Sequence, residues 1–352
     1  HLIDQGRASG AVALAPVQRW FFEQAIPEHQ HWNQSLLLVP REALNVETLD
    51  RALEHLLTHH DSLRLRYQQT DSGWQQAYAA PTTDSVLWQH QAQSVEQLST
   101  LCDEAQRSLD LHNGPLLRAL LVSMADGSQR LLLVVHHLAV DGVSWRVLLE
   151  DLQHFYNGGT ALAKTSSYQR WVTRLQAHLP AFERSLGHWQ NQLQDAPDDL
   201  PCECPNGALE HRFEHKLELK LDSEQTRKLL QQAPAAYRTQ VNDLLLTALA
   251  RAVCLWSGQG SALIQLEGHG REDLFDDVDL TRTVGWFTSL FPVNLKPAAD
   301  LGASIKTIKE QLRSVPDKGL GYGALRYLGS AQARAELAAL PQPRITFNYL
   351  GQ

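Results

Sequence analysis

The stretch LLLVVHHLAVDGVSWRVLLEDL, residues 131–152, decides how the first half of this chain folds. Its opening apolar run lacks the polar alternation of a strand with one wet face, which indicates a strand covered on both sides. Asp141-Gly142 is a turn signal, and apolar residues recur at helical spacing after it. The stretch therefore predicts a buried strand that ends at His136 and His137, then a tight turn and a helix.

Similar patterns continue along the chain and predict alternating helices and strands. The predicted helices cover residues 15–25, 45–60, 143–156, 241–256 and 303–314, and the predicted strands cover residues 116–123, 130–137, 261–267, 289–295 and 344–350. Pro292 removes a ladder donor from its strand, so we expect that strand at a sheet edge. The chain is predicted to be α/β, with a sheet and packed helices in each half and a boundary near 160–180.

Bulk properties exclude several classes of protein. The chain has 352 residues and a net charge of −8 with no Lys/Arg cluster, which argues against nucleic acid and anionic membranes as partners. No apolar stretch approaches the ~18 residues that span a bilayer. The four cysteines lack framework spacing, which favours the reducing cytoplasm. Cys202-x-Cys204 lacks the second Cys/His pair of a metal site.

The adjacent histidines are candidates for chemistry or for plain packing. Neighbours in a strand point to opposite faces, so one imidazole can face a cleft while the other packs inward. A strand end at a tight turn is where sheet-based active sites place their residues. For Asp141 we favour a buried structural ion pair, with Arg64 or Arg66 as its partner, over proton transfer. Two satisfied core histidines remain the alternative.

Two further groups of residues lie downstream. EGHGRE, residues 267–272, places a carboxylate at a strand's end before two glycines, where it can face a cavity; a solvated loop glutamate is the alternative. Aromatic residues between glycines follow in 281–288, 319–323 and 347–351. Such residues can line a cleft, although most aromatics belong to the core.

Taken together, these motifs resemble the epimerization domains of non-ribosomal peptide synthetases, within the condensation-domain superfamily. HHLAVDG at 136–142 matches the superfamily signature HHxxxDG. The other motifs occur in the family's order: PVQRWF (16–21), NDLLLTALA (242–250), EGHGRE (267–272), RTVGWFTSLFP (282–292), PDKGLGYG (316–323) and FNYLGQ (347–352). The resemblance covers nearly the whole chain.

The resemblance implies a fold and a setting. We expect two acetyltransferase-like lobes, residues 1–165 and 166–352, arranged as a V-shaped pseudo-dimer with the active site between them. Family members usually continue past FNYLGQ, and the first residue here is histidine, so we expect a segment of a longer synthetase. The implied partners are an upstream peptidyl carrier protein and neighbouring adenylation and condensation domains. The domain itself is expected to be monomeric.

The resemblance also implies an activity, the interconversion of L and D configuration at the Cα of a thioester-bound aminoacyl or peptidyl residue. His137 and Glu267 are the expected acid–base pair, with Tyr349 assisting. The expected substrate-binding residues are Asn348, Trp145, Trp286, Ser289 and Tyr322, and the expected structural residues are His136, Asp141, Arg64 and Arg282. We expect no cofactor and no metal of the domain's own, because the substrate arrives on the carrier's phosphopantetheine.

Three alternatives stay open at this stage. A condensation domain would share the HHxxxDG motif but would not need a carboxylate at Glu267. A non-catalytic docking module would retain the fold alone. A metalloprotein would use His55, His59 and His60, but no third ligand is evident for the pair that shares a helix face, His55 and His59.

Overall fold

The computed structural model describes residues 2–351, which form two compact units. The first unit comprises the residues up to 178 together with 269–288. The second comprises 179–268 together with the residues from 289 onward. The units interleave in sequence, whereas the predicted lobe boundary at 165 divides the chain once. By contact, residues 166–178 and 269–288 therefore belong with the first unit.

The first unit contains seven strands and five helices among its described residues. The strands are β1 (Gly10–Val12), β2 (Asn33–Leu38), β3 (Leu65–Thr70), β4 (Gly73–Tyr78), β5 (Leu87–Ala92), β6 (Leu117–Met124) and β7 (Gln129–His136). The helices are α1 (Pro16–Glu23), α2 (Val46–His59), α3 (Val95–Arg107), α4 (Gly142–Tyr156) and α5 (Tyr168–Ala177).

The strand of the opening stretch lies inside a four-stranded sheet of order β2-β7-β6-β5. β7 pairs antiparallel with both neighbours, and its residues from Leu131 to His136 are buried. This confirms the prediction of a strand covered on both faces. A second sheet has the order β1-β4-β3.

Helices α2 and α4 pack against each other next to this sheet. Asn45 caps α2 by accepting from the backbone N–H of Thr48, and Asp141 caps α4 by accepting from that of Ser144. Both helices begin where the sequence predicts. The cap at Asp141 fixes the chain direction immediately after β7, which holds the two histidines at the strand's end.

The second unit contains three strands and eight helices among its described residues. The strands are β8 (Ala262–Gly268), β9 (Ser289–Leu295) and β10 (Ile345–Phe347). The helices are α6 (Leu179–Glu183), α7 (Leu186–Leu193), α8 (Ser223–Arg227), α9 (Ala233–Tyr237), α10 (Val241–Ser257), α11 (Leu301–Arg313), α12 (Leu320–Leu328) and α13 (Ala331–Ala338).

The sheet of the second unit has the order β10-β8-β9. β9 carries Pro292 and lies at an edge, as predicted. β10 runs parallel to β8 with Phe347 opposite Leu266, so the carboxyl ends of both strands meet at one edge of the sheet. β10 ends at Phe347, earlier than the predicted 350.

The α/β class is confirmed by these elements. The arrangement of the lobes as a V stays a prediction. No helix within residues 2–351 is both long enough and apolar enough to span a bilayer.

Candidate active site

His136, the last residue of β7, is locked into the first unit. It is 0% exposed. Its Nε2–H donates to the carbonyl of His29 at 2.5 Å, and its Nδ1 accepts from the backbone N–H of Leu138 at 3.1 Å. Burial lowers its pKa to about 4, so the ring is neutral near pH 7. Both ring nitrogens are engaged in holding the turn after β7.

His137 differs from its neighbour because only one of its nitrogens has a strong partner. Its Nδ1 lies 2.8 Å from the carbonyl oxygen of Val140. A carbonyl only accepts, so Nδ1 carries the hydrogen and Nε2 keeps a lone pair. Burial lowers the pKa of this imidazole below its usual value, which also favours the neutral ring. A neutral imidazole with an available lone pair is suited to act as a base.

Aromatic rings surround His137. The ring centroid of Trp286 lies 4.3 Å from that of His137, and the centroid of Trp32 lies 4.9 Å away. Trp20 in turn contacts both tryptophans. Trp286 is 3% exposed, and its Nε1 has no hydrogen-bond partner among residues 2–351. These rings restrict water near His137 and account for its lowered pKa.

Asp141 pairs with Arg271, a residue of the EGHGRE motif. The Arg271 guanidinium contacts both carboxylate oxygens, with Nη2 at 2.9 Å from Oδ1 and Nε at 3.3 Å from Oδ2. Asp141 also accepts from the backbone N–H of Phe287, whose ring lies under the guanidinium at 4.4 Å. Each side chain of the pair is 7% exposed. Buried ion pairs of this kind need every donor satisfied, and here the network meets that need.

The predicted pairing of Arg64 with Asp141 is wrong. Arg64 lies at the end of a 3₁₀ turn after α2, where it pairs with Asp61 at 2.6 Å. It also donates to the carbonyl of Leu57 in the last turn of α2, at 2.7 Å. The carbonyls of a helix end have no partner within the helix, so a nearby arginine is drawn to them. Arg66 does not pair with Asp141 either; it donates to the carbonyl of Leu65.

Arg282 lies among acidic side chains on α4. It donates to Glu150 at 2.6 Å and to Asp151 at 2.5 Å. The other oxygen of Asp151 lies 2.7 Å from His60 Nε2. These contacts attach the segment 269–288 to α4, and the structural role assigned to Arg282 stays a prediction.

One group of side chains in the described part of the chain has metal-ligand geometry. The ligand atoms of His59, His60 and Asp151 lie within 4.8 Å of one another. The sequence did not reveal Asp151 as a third ligand, because it comes from another helix. His60 and Asp151 already bond each other, which leaves neither ready for an ion. His55, the third histidine of the metal alternative, stacks on Phe155 instead.

Glu267 lies in the second unit, next to the last residue of β8. Its side chain is exposed and makes no hydrogen bond or ion pair with any residue from 2 to 351. Nearby protein atoms desolvate the carboxyl and raise its pKa above the usual value. Gly268 follows, and a Cβ there would lie 2.6 Å from Oγ of Ser289, so a side chain at 268 would crowd this strand end.

Asn348 and Tyr349 follow β10 and therefore lie at the same sheet edge as Glu267. Both are exposed, Tyr349 to 37%. Ser289 opposes Gly268 on β9. Four of the predicted site residues thus come from three neighbouring strand ends of one sheet.

Tyr322 is placed elsewhere in the second unit. It lies on α12, is 7% exposed and packs its ring on Trp189 at 5.2 Å between centroids. This is a core environment, and its assignment to substrate binding stays a prediction. Trp145, in the first unit, donates from Nε1 to Oε1 of Gln34 at 2.9 Å.

Each unit therefore groups part of the predicted site. The first groups His136, His137, Asp141 and Trp286, and the second groups Glu267 with Ser289, Asn348 and Tyr349. Sequence reasoning missed Arg271 and Gln34. Arg271 had a signal, because it belongs to the EGHGRE motif, whereas Gln34 stands in an ordinary strand pattern.

Comparison with known proteins identifies the class. The family model for the Condensation domain matches residues 8–352, so the chain belongs to that family. A linear gramicidin synthase of Brevibacillus parabrevis is 45% identical over 367 residues, covering 99% of this chain and 5% of that protein. The chain thus spans a small fraction of the length of this relative.

Solved structures agree with this membership. The epimerization domain from the third module of tyrocidine synthetase B is 36% identical, with a TM-score of 0.87, over 99% of this chain and 83% of that one. The X-domain from teicoplanin biosynthesis has a TM-score of 0.77 at 22% identity, over 97% of this chain and 76% of that one. This second likeness shows the fold alone.

Proposed function

We propose that this chain inverts the Cα configuration of an aminoacyl or peptidyl residue held as a thioester on the phosphopantetheine arm of a carrier protein. Loss of the Cα proton gives an enolate, whose negative charge is delocalised onto the thioester oxygen. A proton delivered to the opposite face gives the other configuration. The electron count does not change, so the reaction itself calls for no redox cofactor.

In this proposal His137 and Glu267 address opposite faces of the α-carbon. His137 offers the Nε2 lone pair described above, and Glu267 offers a carboxyl whose surroundings favour its protonated form. The pKa of the imidazole is lowered and that of the carboxyl is raised, so the two groups differ less in acidity than usual. Groups of similar acidity can exchange the roles of acid and base when the reaction reverses.

The remaining site residues take supporting roles in the proposal. Tyr349 assists proton delivery, and Asn348 holds the substrate or the enolate oxygen. Trp145, Trp286, Ser289 and Tyr322 contact the substrate or its arm. A carrier protein supplies the substrate, with adenylation and condensation domains of the same synthetase as neighbours.

The observation that carries the proposal is the Glu267 carboxyl, exposed at a strand end, with a raised pKa and the residues of FNYLG at the same edge. Inversion needs a second acid–base group, whereas amide formation does not. The 36% identity to an epimerization domain supports the same choice. The family-model match keeps condensation as the second candidate.

One experiment separates the two candidates. A carrier protein loaded with a single L-aminoacyl group is incubated with the chain in D₂O, without any acceptor, for a panel of aromatic, branched and small side chains. Epimerization predicts Cα deuterium and a mixture of D and L residues. Glu310→Gln, a substitution of a glutamate on α11 whose side chain is largely exposed, serves as the control. A condensation domain would leave both the Cα hydrogen and the L configuration intact.

A further inference from the structure

Gln34 and Trp145 form a hydrogen-bonded chain that ends on His137. We propose that Gln34, oriented by Trp145, is a positioning residue that holds His137 as a neutral imidazole with its Nε2 lone pair toward the substrate. This inference rests on the proposed function, because it deepens the role of the same base. It concerns residues of the first unit only.

The two ends of this chain fix the direction of every hydrogen bond in it. The indole Nε1–H of Trp145 only donates, so the amide atom 2.9 Å away is Gln34 Oε1. The amide nitrogen of Gln34 therefore faces His137 Nε2, at 3.4 Å. At the other side of the ring, the Val140 carbonyl only accepts and places the hydrogen on Nδ1. The amide consequently donates to the Nε2 lone pair.

The sheet holds Gln34 in place for this role. Gln34 lies on β2, and its backbone pairs with Val135, two residues before His137 on the chain. Gln34, Trp145 and His137 are all partly buried, so water competes poorly for these hydrogen bonds. The amide is thus anchored by the ladder and oriented by the indole.

The arrangement has a consequence for proton transfer in both directions. An N–H that points at Nε2 stabilises the neutral base and opposes the imidazolium, whose own N–H would face it. A ring that has accepted the Cα proton therefore returns it readily. The distance of 3.4 Å is at the long limit of a hydrogen bond, so a substrate C–H can displace the amide. Asp141 opposes this effect by raising the pKa, and His136 is the other titratable group beside the ring.

The test is a ¹⁵N NMR titration of the imidazoles in the full chain, with the His137 signal assigned by its loss in His137→Ala. We expect the Nδ1–H tautomer in the unsubstituted chain. Gln34→Ala is expected to raise the pKa of His137, Gln34→Glu to raise it further, and Trp145→Phe to raise it less than either. Gln89→Ala, an exposed glutamine on β5, is the matched control and should leave the titration unchanged.

Activity provides the second readout. With a carrier-bound L-aminoacyl thioester, Gln34→Glu is expected to lose kcat at low pH, about tenfold for each unit by which the pKa rises, and to recover at high pH. A titration and tautomer unmoved by both Gln34→Ala and Trp145→Phe would overturn the inference, whatever the activity. A shifted titration in a chain that never exchanges the Cα hydrogen would uphold the hydrogen bond, overturn its role in positioning a base, and reject the proposed function separately.

Discussion

The surroundings of His137 and of Glu267 differ in how firmly they are built. The His137 turn is held by buried groups, from the neutral His136 to the ion pair of Asp141 with Arg271. Glu267 stands exposed at a strand end and, within residues 2–351, bonds to no other side chain. One candidate acid–base group is preorganised by its own unit, and the other is not.

This difference assigns different costs to the two groups. A group fixed before the substrate arrives pays no ordering entropy at the moment of reaction, which favours catalysis. A mobile carboxyl loses rotamer freedom when it engages the substrate. We therefore expect the first region to be sensitive in stability and the second to be sensitive in activity alone.

The largest effect on stability is expected from Arg271→Ala. This substitution leaves the buried Asp141 carboxylate without its cation, which typically costs about 3–5 kcal/mol. Denaturant unfolding followed by circular dichroism measures the loss. Arg313→Ala, which removes an exposed ion-pair partner on α11, is the control and should change the free energy of unfolding by less than about 1 kcal/mol. Equal losses in the two variants would contradict the contrast.

A smaller effect is expected from acid through His136. Above pH 6.5 the ring is neutral in both folded and unfolded chains; below it, only the unfolded chain takes up the proton. The free energy of unfolding should therefore fall from pH 6.5 down to about 4, by on the order of 3 kcal/mol from this group. Unfolding curves at a series of pH values measure the slope.

The matched variant for this pH effect is His136→Asn. Its side-chain oxygen can accept from Leu138 in place of Nδ1, but the group does not titrate. The slope between pH 6.5 and 4 should flatten in this variant, although its stability at pH 7 is lower. An unchanged slope would show that other groups govern acid unfolding.

The smallest effect on stability is expected from Glu267→Gln. The side chain is exposed and bonds to no other described side chain, so the free energy of unfolding should change by no more than about 0.5 kcal/mol. The same variant should lose inversion activity. A large loss of stability would show that Glu267 is a structural residue, and the contrast between the two regions would then disappear.

Local patterns in the sequence predicted most of the fold near the first region. The apolar run, the Asp141-Gly142 turn and the helical spacing after it are all properties of one continuous segment. β7 and α4 follow them closely. β10 was predicted too long, because a strand ends where its ladder partner ends, and no local pattern reports that.

Long-range pairs were beyond the sequence. Asp141 and Arg271 are 130 residues apart, and Arg64 offered the same charge much closer to hand. What decided the pairing was the end of α2, whose free carbonyls engage Arg64. The candidates His137 and Glu267 came from the resemblance to a family, since neither a histidine pair nor a lone glutamate identifies a reaction.

The most direct test of the central claim, that His137 and Glu267 each serve one face of the α-carbon, is a pair of exchange measurements. His137→Ala and Glu267→Gln are each given carrier-bound L and D thioesters in D₂O, with His90→Ala, an exposed histidine on β5, as a control. We predict that inversion falls by about 10²–10⁴ in both variants. We also predict that each variant retains Cα deuterium uptake on one configuration only, and that the retained configurations are opposite. Wild-type inversion in either variant, or retention of the same configuration by both, would contradict the account.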